Sequence, residues 1–170
     1  MTEHHEGHQS GYQRLQAQKS LKEILEIATE FERIAHDFYT ALVPKVSKQI
    51  RYLVEELAAE EQEHFDLFQK LANNPDLEKQ VGTLIDTPAN DHGFSDCIHL
   101  PDLGDHPDDQ AVLQYALYRE HAAMEQYSAL ADSTEPGPVQ ELFRYLAQEE
   151  TKHKNELEKA YYETVHRGGV

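Results

Sequence analysis

The sequence predicts an all-α fold, a four-helix bundle made of two antiparallel helical hairpins joined by a long crossover. Three observations carry this expectation. Four stretches repeat apolar residues at alternating steps of three and four, the spacing that lines one face of a helix. Turn signals separate the first stretch from the second (Pro44) and the third from the fourth ("DSTEPGP", 132–138). Between the second and third, residues 73 to about 108 lose helical periodicity and are rich in Pro, Gly, Asp and Asn. No stretch reads convincingly as a strand.

Each element follows from its own residues. Segment 1–19 is polar and contains Gly and His, and reads as a flexible tail whose His4, His5 and His8 are at most stray metal binders. Ser20 opens the first helix, with Glu23 three residues on as in a capping box. Its stripe is Leu21, Leu25, Ala28, Ala35, Tyr39 and Leu42, and Pro44 ends it. The second helix is expected from about Val46 to Ala72, with Ile50, Leu53, Leu57, Phe68 and Leu71 in line and "NNPD" as its stop. The third covers about Asp109 to Ala131 through Leu113, Ala116 or Leu117, Met124, Tyr127 and Ala131. The fourth covers about Val139 to Tyr162 through Val139, Leu142, Leu146, Leu157 and Ala160. Residues 20–163 thus form one domain, with 164–170 as a C-terminal tail. Helices of ~25 residues are ~38 Å long. The crossover spans that length easily at ~3.3 Å per residue, which lets the third helix run parallel to the second.

Composition narrows the function. The formal net charge of -17 opposes nucleic acid or an anionic membrane surface as partner and suits a chain that handles cations. No segment has the ~20 apolar residues of a membrane span, and the polar N-terminus lacks a signal peptide's apolar region. The single Cys97 allows no intrachain disulfide and no Cys-x-x-Cys metal ribbon, which points to a reducing, cytoplasmic setting.

The apolar stripes have gaps, and the gaps hold charge. Extending the first stripe puts Glu32 in the core. The second needs two further core positions, and they are Glu61 and His64, whereas Glu60 and Glu63 point away. Glu120 fills the gap in the third, and Glu150 and His153 fill the gaps in the fourth. Buried, unpaired carboxylates would cost more than the ~5–15 kcal/mol that holds a domain together. The stripes themselves contain no Lys or Arg, so divalent metal ions are the expected counter-charge. At 1.5 Å per residue all six side chains reach a similar level, within about a turn. The halves also repeat: Glu32 and Tyr39 map onto Glu120 and Tyr127 at one offset, and the two Glu-x-x-His pairs map at one residue more. One Glu from each of two helices plus a Glu-x-x-His from each of the other two is the arrangement that holds two metals in a bundle core. Mixed oxygen and imidazole ligation suits iron or manganese, with zinc as an adventitious occupant.

The stretches "FERIAHDFY" (31–39), "EEQEH" (60–64), "REHAAMEQY" (119–127) and "EETKH" (149–153) resemble the ferritin-like superfamily, closest to rubrerythrins and bacterioferritins. The resemblance covers about Ser20 to Tyr162. It implies a ferritin-like bundle with Glu32, Glu61, His64, Glu120, Glu150 and His153 as metal ligands. It further implies that Glu61 and Glu150 bridge the ions while Glu32 and Glu120 are terminal. Two departures stand out. Rubrerythrins usually carry another Glu one turn after the third helix's ligand, where this chain has Ala123, and usually carry a rubredoxin-type Cys-x-x-Cys iron domain, for which this chain lacks the cysteines. The first makes the ligand set look like that of a bacterioferritin. The acidic crossover and the lack of a recognisable haem-binding methionine argue against a standard storage cage.

The expected function is a rubrerythrin-like di-iron oxidoreductase reducing H2O2 or O2, with electrons from Fe(II) or a separate donor such as a rubredoxin-like protein. The alternatives are a ferroxidase feeding iron storage, and a metal-binding helical module without redox turnover. Tyr39 and Tyr127, two turns beyond their ligand glutamates, are candidate catalytic residues near the metals or core aromatics with satisfied hydroxyls. His36 reads as lying beside the site or on the surface. Asp37 and Glu149 are candidate acceptors for the free nitrogens of the ligand histidines. In the crossover, His92, His99, His106, Cys97 and the aspartates read as a solvated acidic loop. By resemblance alone, a homodimer paired through the first two helices is expected.

Overall fold

The computed structural model describes residues 19–77, 84–85 and 102–168. The expected tail with His4, His5 and His8, and the crossover's His92, Cys97 and His99, lie outside the described residues. The elements in chain order are β1 (Lys19–Ser20), α1 (Leu21–Leu42), α2 (Arg51–Ala72), a single 3-10 turn (Pro75–Leu77), β2 (Leu84–Ile85), α3 (Asp109–Ser133) and α4 (Pro138–Gly168). None of these helices is long and apolar enough to cross a membrane.

Helix α1 starts where its cap dictates. Ser20 Oγ accepts from the Glu23 backbone N–H at 3.2 Å and donates to the Glu23 carboxylate, which satisfies a donor that the first turn leaves free. Asp108 does the same for α3, accepting from the Gln110 N–H. Helix α2 begins at Arg51 rather than near Val46. Val46 and Ile50 are buried, as their apolar spacing suggested, but they pack from a turn. The Val46 N–H still reaches the Leu42 carbonyl, while the Arg51 guanidinium donates to the carbonyls of Val43 and Val46. The end of α1 and the turn beyond it are thus tied by a side chain from α2. Helix α4 continues past Tyr162 to Gly168. The Tyr161 hydroxyl accepts from the amides of Gln110 and Gln114 on α3, and no proline or glycine interrupts the run before Gly168.

The hairpins pack as α1 along α2 and α3 along α4, with α2 also touching α4. The crossover makes a two-residue antiparallel pairing, Lys19 with Ile85 and Ser20 with Leu84. It is the one β feature among the described residues, and two residues carry no sequence period to reveal it. This pairing places Leu84–Ile85 at the end of the bundle where α1 begins. Leu103 packs into the core at the opposite end, so the chain has traversed the bundle by then, as a parallel α2 and α3 require.

The core is two apolar clusters with a polar layer between them. One cluster holds Leu21, Leu25, Phe31, Phe68, Tyr127 and Phe143; the other holds Phe38, Tyr39, Leu53, Leu57, Leu113 and Leu157. The changeover along α1 falls between Phe31 and Ala35, where Glu32 sits. Apolar side chains therefore close the polar layer from both ends of the bundle, in the low-dielectric interior where unpaired charge is most costly.

Candidate metal centre

Seven polar side chains fill that layer: Glu32 from α1, Glu61 and His64 from α2, Arg119 and Glu120 from α3, and Glu150 and His153 from α4. None is more than 2% exposed. All six residues expected as ligands are among them. They form two overlapping sets, Glu32–Glu61–His64–Glu150 and Glu61–Glu120–Glu150–His153, with the potential ligand atoms of each set within 4.8 Å of one another. Glu61 and Glu150 belong to both.

The inward atoms are close without bonding to each other. His64 Nδ1 lies 3.3 Å from Glu150 Oε1, 3.7 Å from Glu32 Oε2 and 3.8 Å from Glu61 Oε2. His153 Nδ1 lies 3.6 Å from Glu150 Oε2 and 3.7 Å from Glu120 Oε2. Every one of these atoms is buried without a hydrogen-bond partner. Buried polar atoms are normally satisfied, so a concentration of orphans in one layer needs a cause. Two ligands each ~2.1 Å from a common ion stand at most ~4.2 Å apart, and these histidine–carboxylate separations fall within that limit. Carboxylate oxygens and imidazole nitrogens aimed at two adjacent points fit a pair of divalent ions.

Without metal, protons partly take the ions' place. Burial pushes His153 down, but Glu150 and Glu60 beside it outweigh that and lift it from 6.5 to about 10. His64 is likewise raised well above its ordinary value, burial being overcome by Glu150, Glu32 and Glu61. Burial raises Glu61 to about 8, with the charge of Glu32 adding to it. Burial also acts upward on Glu32, yet contact with Glu61 and His64 leaves it lowered. Glu150, despite its burial, is drawn down to about 2 by the two histidines. In the absence of metal these shifts favour protonated imidazoles and a protonated Glu61.

Arg119 corrects the expectation of core stripes free of Lys and Arg and without internal salt bridges. Its side chain is 1% exposed. Nη1 lies 3.2 Å from Glu61 Oε1 and 3.3 Å from Glu120 Oε1, and Nη2 donates to the Phe31 carbonyl. The guanidinium stacks 4.1 Å from the Phe31 ring centre. One guanidinium offsets one of four carboxylates, so the layer still calls for further positive charge. A signal existed in the sequence: the offset that maps Glu32 onto Glu120 maps Phe31, an apolar core residue, onto Arg119.

The two tyrosines flank the layer with crossed bonds. Tyr39 of α1 donates to Glu120 Oε1 of α3 at 3.0 Å, and Tyr127 of α3 donates to Glu32 Oε1 of α1. Each hydroxyl engages one oxygen of an outer carboxylate while the other oxygen faces inward. Burial raises both phenols above their ordinary value, so they act as donors.

Around the layer the expected partners are rearranged. The carboxylate against His153 Nε2 is Glu60, which the helical stripe had assigned outward; it reaches His153 because α2 and α4 face one another. Glu149 lies within the same small group as Glu60 and His153. Asp37 is exposed and paired with Arg33, away from the histidines. His36 bonds through Nδ1 to the Ala58 carbonyl at 2.8 Å, clipping α1 to α2. His106 is exposed. A carboxylate on the outer nitrogen fixes the ring and raises its basicity as a ligand. Glu60→Gln is therefore expected to weaken metal binding at the His153 position ~10-fold or more and leave the His64 position unchanged, as read by metal titration.

Neither a curated protein nor a solved structure matches the chain. A family model described as Rubrerythrin matches residues 23–88 and 111–166, a span that includes all six of these carboxylate and imidazole side chains and most of each helix. With the greater part of the sequence matched and the layer arranged as above, this chain belongs to the rubrerythrin family.

Proposed function

We propose that this chain is a di-iron oxidoreductase that reduces hydrogen peroxide or O2, drawing electrons from Fe(II) or from an external donor such as a rubredoxin-like protein. The observation that carries the reading is the pair of buried ligand sets sharing Glu61 and Glu150. Glu32 and His64 would hold one ion, Glu120 and His153 the other, and Glu61 and Glu150 both; manganese suits the same donors. Iron held there would supply two electrons, which with two protons would convert each H2O2 into two waters.

The chain's own residues supply the setting. The two apolar clusters keep bulk water from the layer and strengthen every electrostatic contact inside it. Tyr39 and Tyr127 orient the outer carboxylates, and Glu60 orients His153. Their fixed positions mean that little reorganisation accompanies a change of charge at the centre.

A second reading, ferroxidase activity feeding iron storage, is favoured by one observation. Ala123, one turn beyond Glu120, is fully buried in an apolar cluster, where rubrerythrins usually place an additional glutamate. Six ligands rather than seven resemble the bacterioferritin set.

The test is to load the metal-free protein with Fe(II) anaerobically, count iron per chain by mass spectrometry, and mix with H2O2 and with O2 separately. About two irons per chain, oxidised much faster by H2O2, supports peroxide reduction. Faster oxidation by O2, with iron accumulating far beyond that, moves the function to storage. Stable binding of iron without turnover by either oxidant leaves a metal-binding module, and no binding at all overturns the centre.

A further inference from the structure

The centre is nearly two-fold symmetric, and the symmetry is broken by Glu60, which stands against His153, and at one pair of core positions. Glu32 pairs with Glu120, Tyr39 with Tyr127, Glu61 with Glu150 and His64 with His153. The pair that breaks the symmetry is Phe31 and Arg119, and the Arg119 guanidinium carbon lies over the Phe31 ring, 4.1 Å from its centre. A hydrocarbon ring thus stands on one side where a buried cation stands on the other.

The cation is not shared evenly. Arg119 Nη1 touches Glu61, which serves both positions, and Glu120, which serves only the His153 position. Glu120 Oε1 consequently accepts from both Arg119 and Tyr39, whereas Glu32 Oε1 accepts from Tyr127. A carboxylate that already satisfies two donors, one of them charged, is a poorer ligand. The fixed positive charge also opposes a second cation at the carboxylates it touches, Glu61 and Glu120, in a core with little screening. Glu60 opposes this through His153, but its side chain is 30% exposed against 1% for Arg119, so solvent screens it more.

We propose that Arg119 makes the two metal positions unequal, so that a divalent ion fills the Glu32–His64 position first and the Glu120–His153 position second and more weakly. Arg119 is here a positioning residue, acting through Glu61 and Glu120. The inference rests on the di-metal reading above and goes beyond it by assigning an order of loading and the residue that sets it.

Cobalt(II) is a suitable probe, because it is stable in air and its visible spectrum reports ligation. Titration of the metal-free protein, followed by calorimetry and visible absorption, is expected to show two steps separated by at least ~10-fold in dissociation constant. His153→Ala removes the weaker step and keeps the tight one; His64→Ala removes the tight step. Arg119→Met and Arg119→Gln, two neutral replacements of different polarity, bring the second step to within ~3-fold of the first, while Arg119→Lys, which keeps the charge, retains the gap. A purely structural role for Arg119 does not predict that lysine restores the separation. Two equal steps in the unmodified protein, loss of the weak step in His64→Ala, or an undiminished gap in both neutral variants overturns the proposal and leaves the centre standing. No cobalt bound by the unmodified protein overturns the centre itself and the proposal with it.

Discussion

Glu150→Ala is expected to empty both metal positions, reducing bound metal from about two ions per chain to a small fraction of one. The two oxygens of Glu150 face different histidines, Oε1 at 3.3 Å from His64 Nδ1 and Oε2 at 3.6 Å from His153 Nδ1. Both are buried and unpartnered, so each is available to a separate ion. Glu61, the other shared carboxylate, already gives one oxygen to Arg119. Of the two shared carboxylates, Glu150 is the one with both oxygens unpartnered. Glu32→Ala, by contrast, removes a ligand from the Glu32–His64 set only, and leaves the His153 position occupied. Mass spectrometry of metal in the purified variants separates the two cases. Retention of about two ions per chain by Glu150→Ala would show that this carboxylate does not bridge.

The contrast between Glu150 and Arg119 shows how far the sequence could be read. A core residue in a helix declares itself by falling in step with apolar neighbours three and four positions away, and each of the six carboxylates and imidazoles occupies a gap in such a stripe. Their common height followed from helix rise alone. Arg119 stands next to Glu120, about 100° around α3, and a single narrow stripe excludes it. In a bundle, however, each helix packs against more than one neighbour, so its buried arc is wider than one stripe. Phe31, Phe38 and Phe143 are buried for the same reason and were equally absent from the stripes. Glu60 escaped because its role depends on the approach of α2 to α4, a tertiary relation with no local pattern. The late start of α2 was hidden by Val46 and Ile50, whose helical spacing is used by a turn that Arg51 ties together.

Removing metal is expected to reverse the pH dependence of stability. In the metal-free protein His153 is raised from 6.5 to about 10 and His64 is raised in the same direction. The fold gains from charging these rings, a gain complete below the unfolded value and lost as pH rises through the folded one. Glu61, raised from 4.5 to about 8, favours its neutral form and follows the same rule: its contribution is full in acid and lost on the way to pH 8. Glu150, lowered to about 2, contributes above the unfolded carboxylate value and loses that only as pH falls toward 2. Between about pH 5.5 and 8.5 the raised groups dominate, so the metal-free protein weakens as pH rises. Metal binding requires the same protons to leave, so its stabilisation grows with pH. Each released proton contributes up to ~1.4 kcal/mol per pH unit, and a chain of this size shifts in Tm by ~2–4 °C per kcal/mol. The difference in Tm between metal-loaded and metal-free protein is therefore expected to be at least ~5 °C larger at about pH 8.5 than at about pH 5.5. Calorimetric scans of both forms across that range measure it. A difference that stays constant or shrinks with rising pH would mean that protons and metal do not compete for this layer, and would place any bound ion elsewhere in the chain.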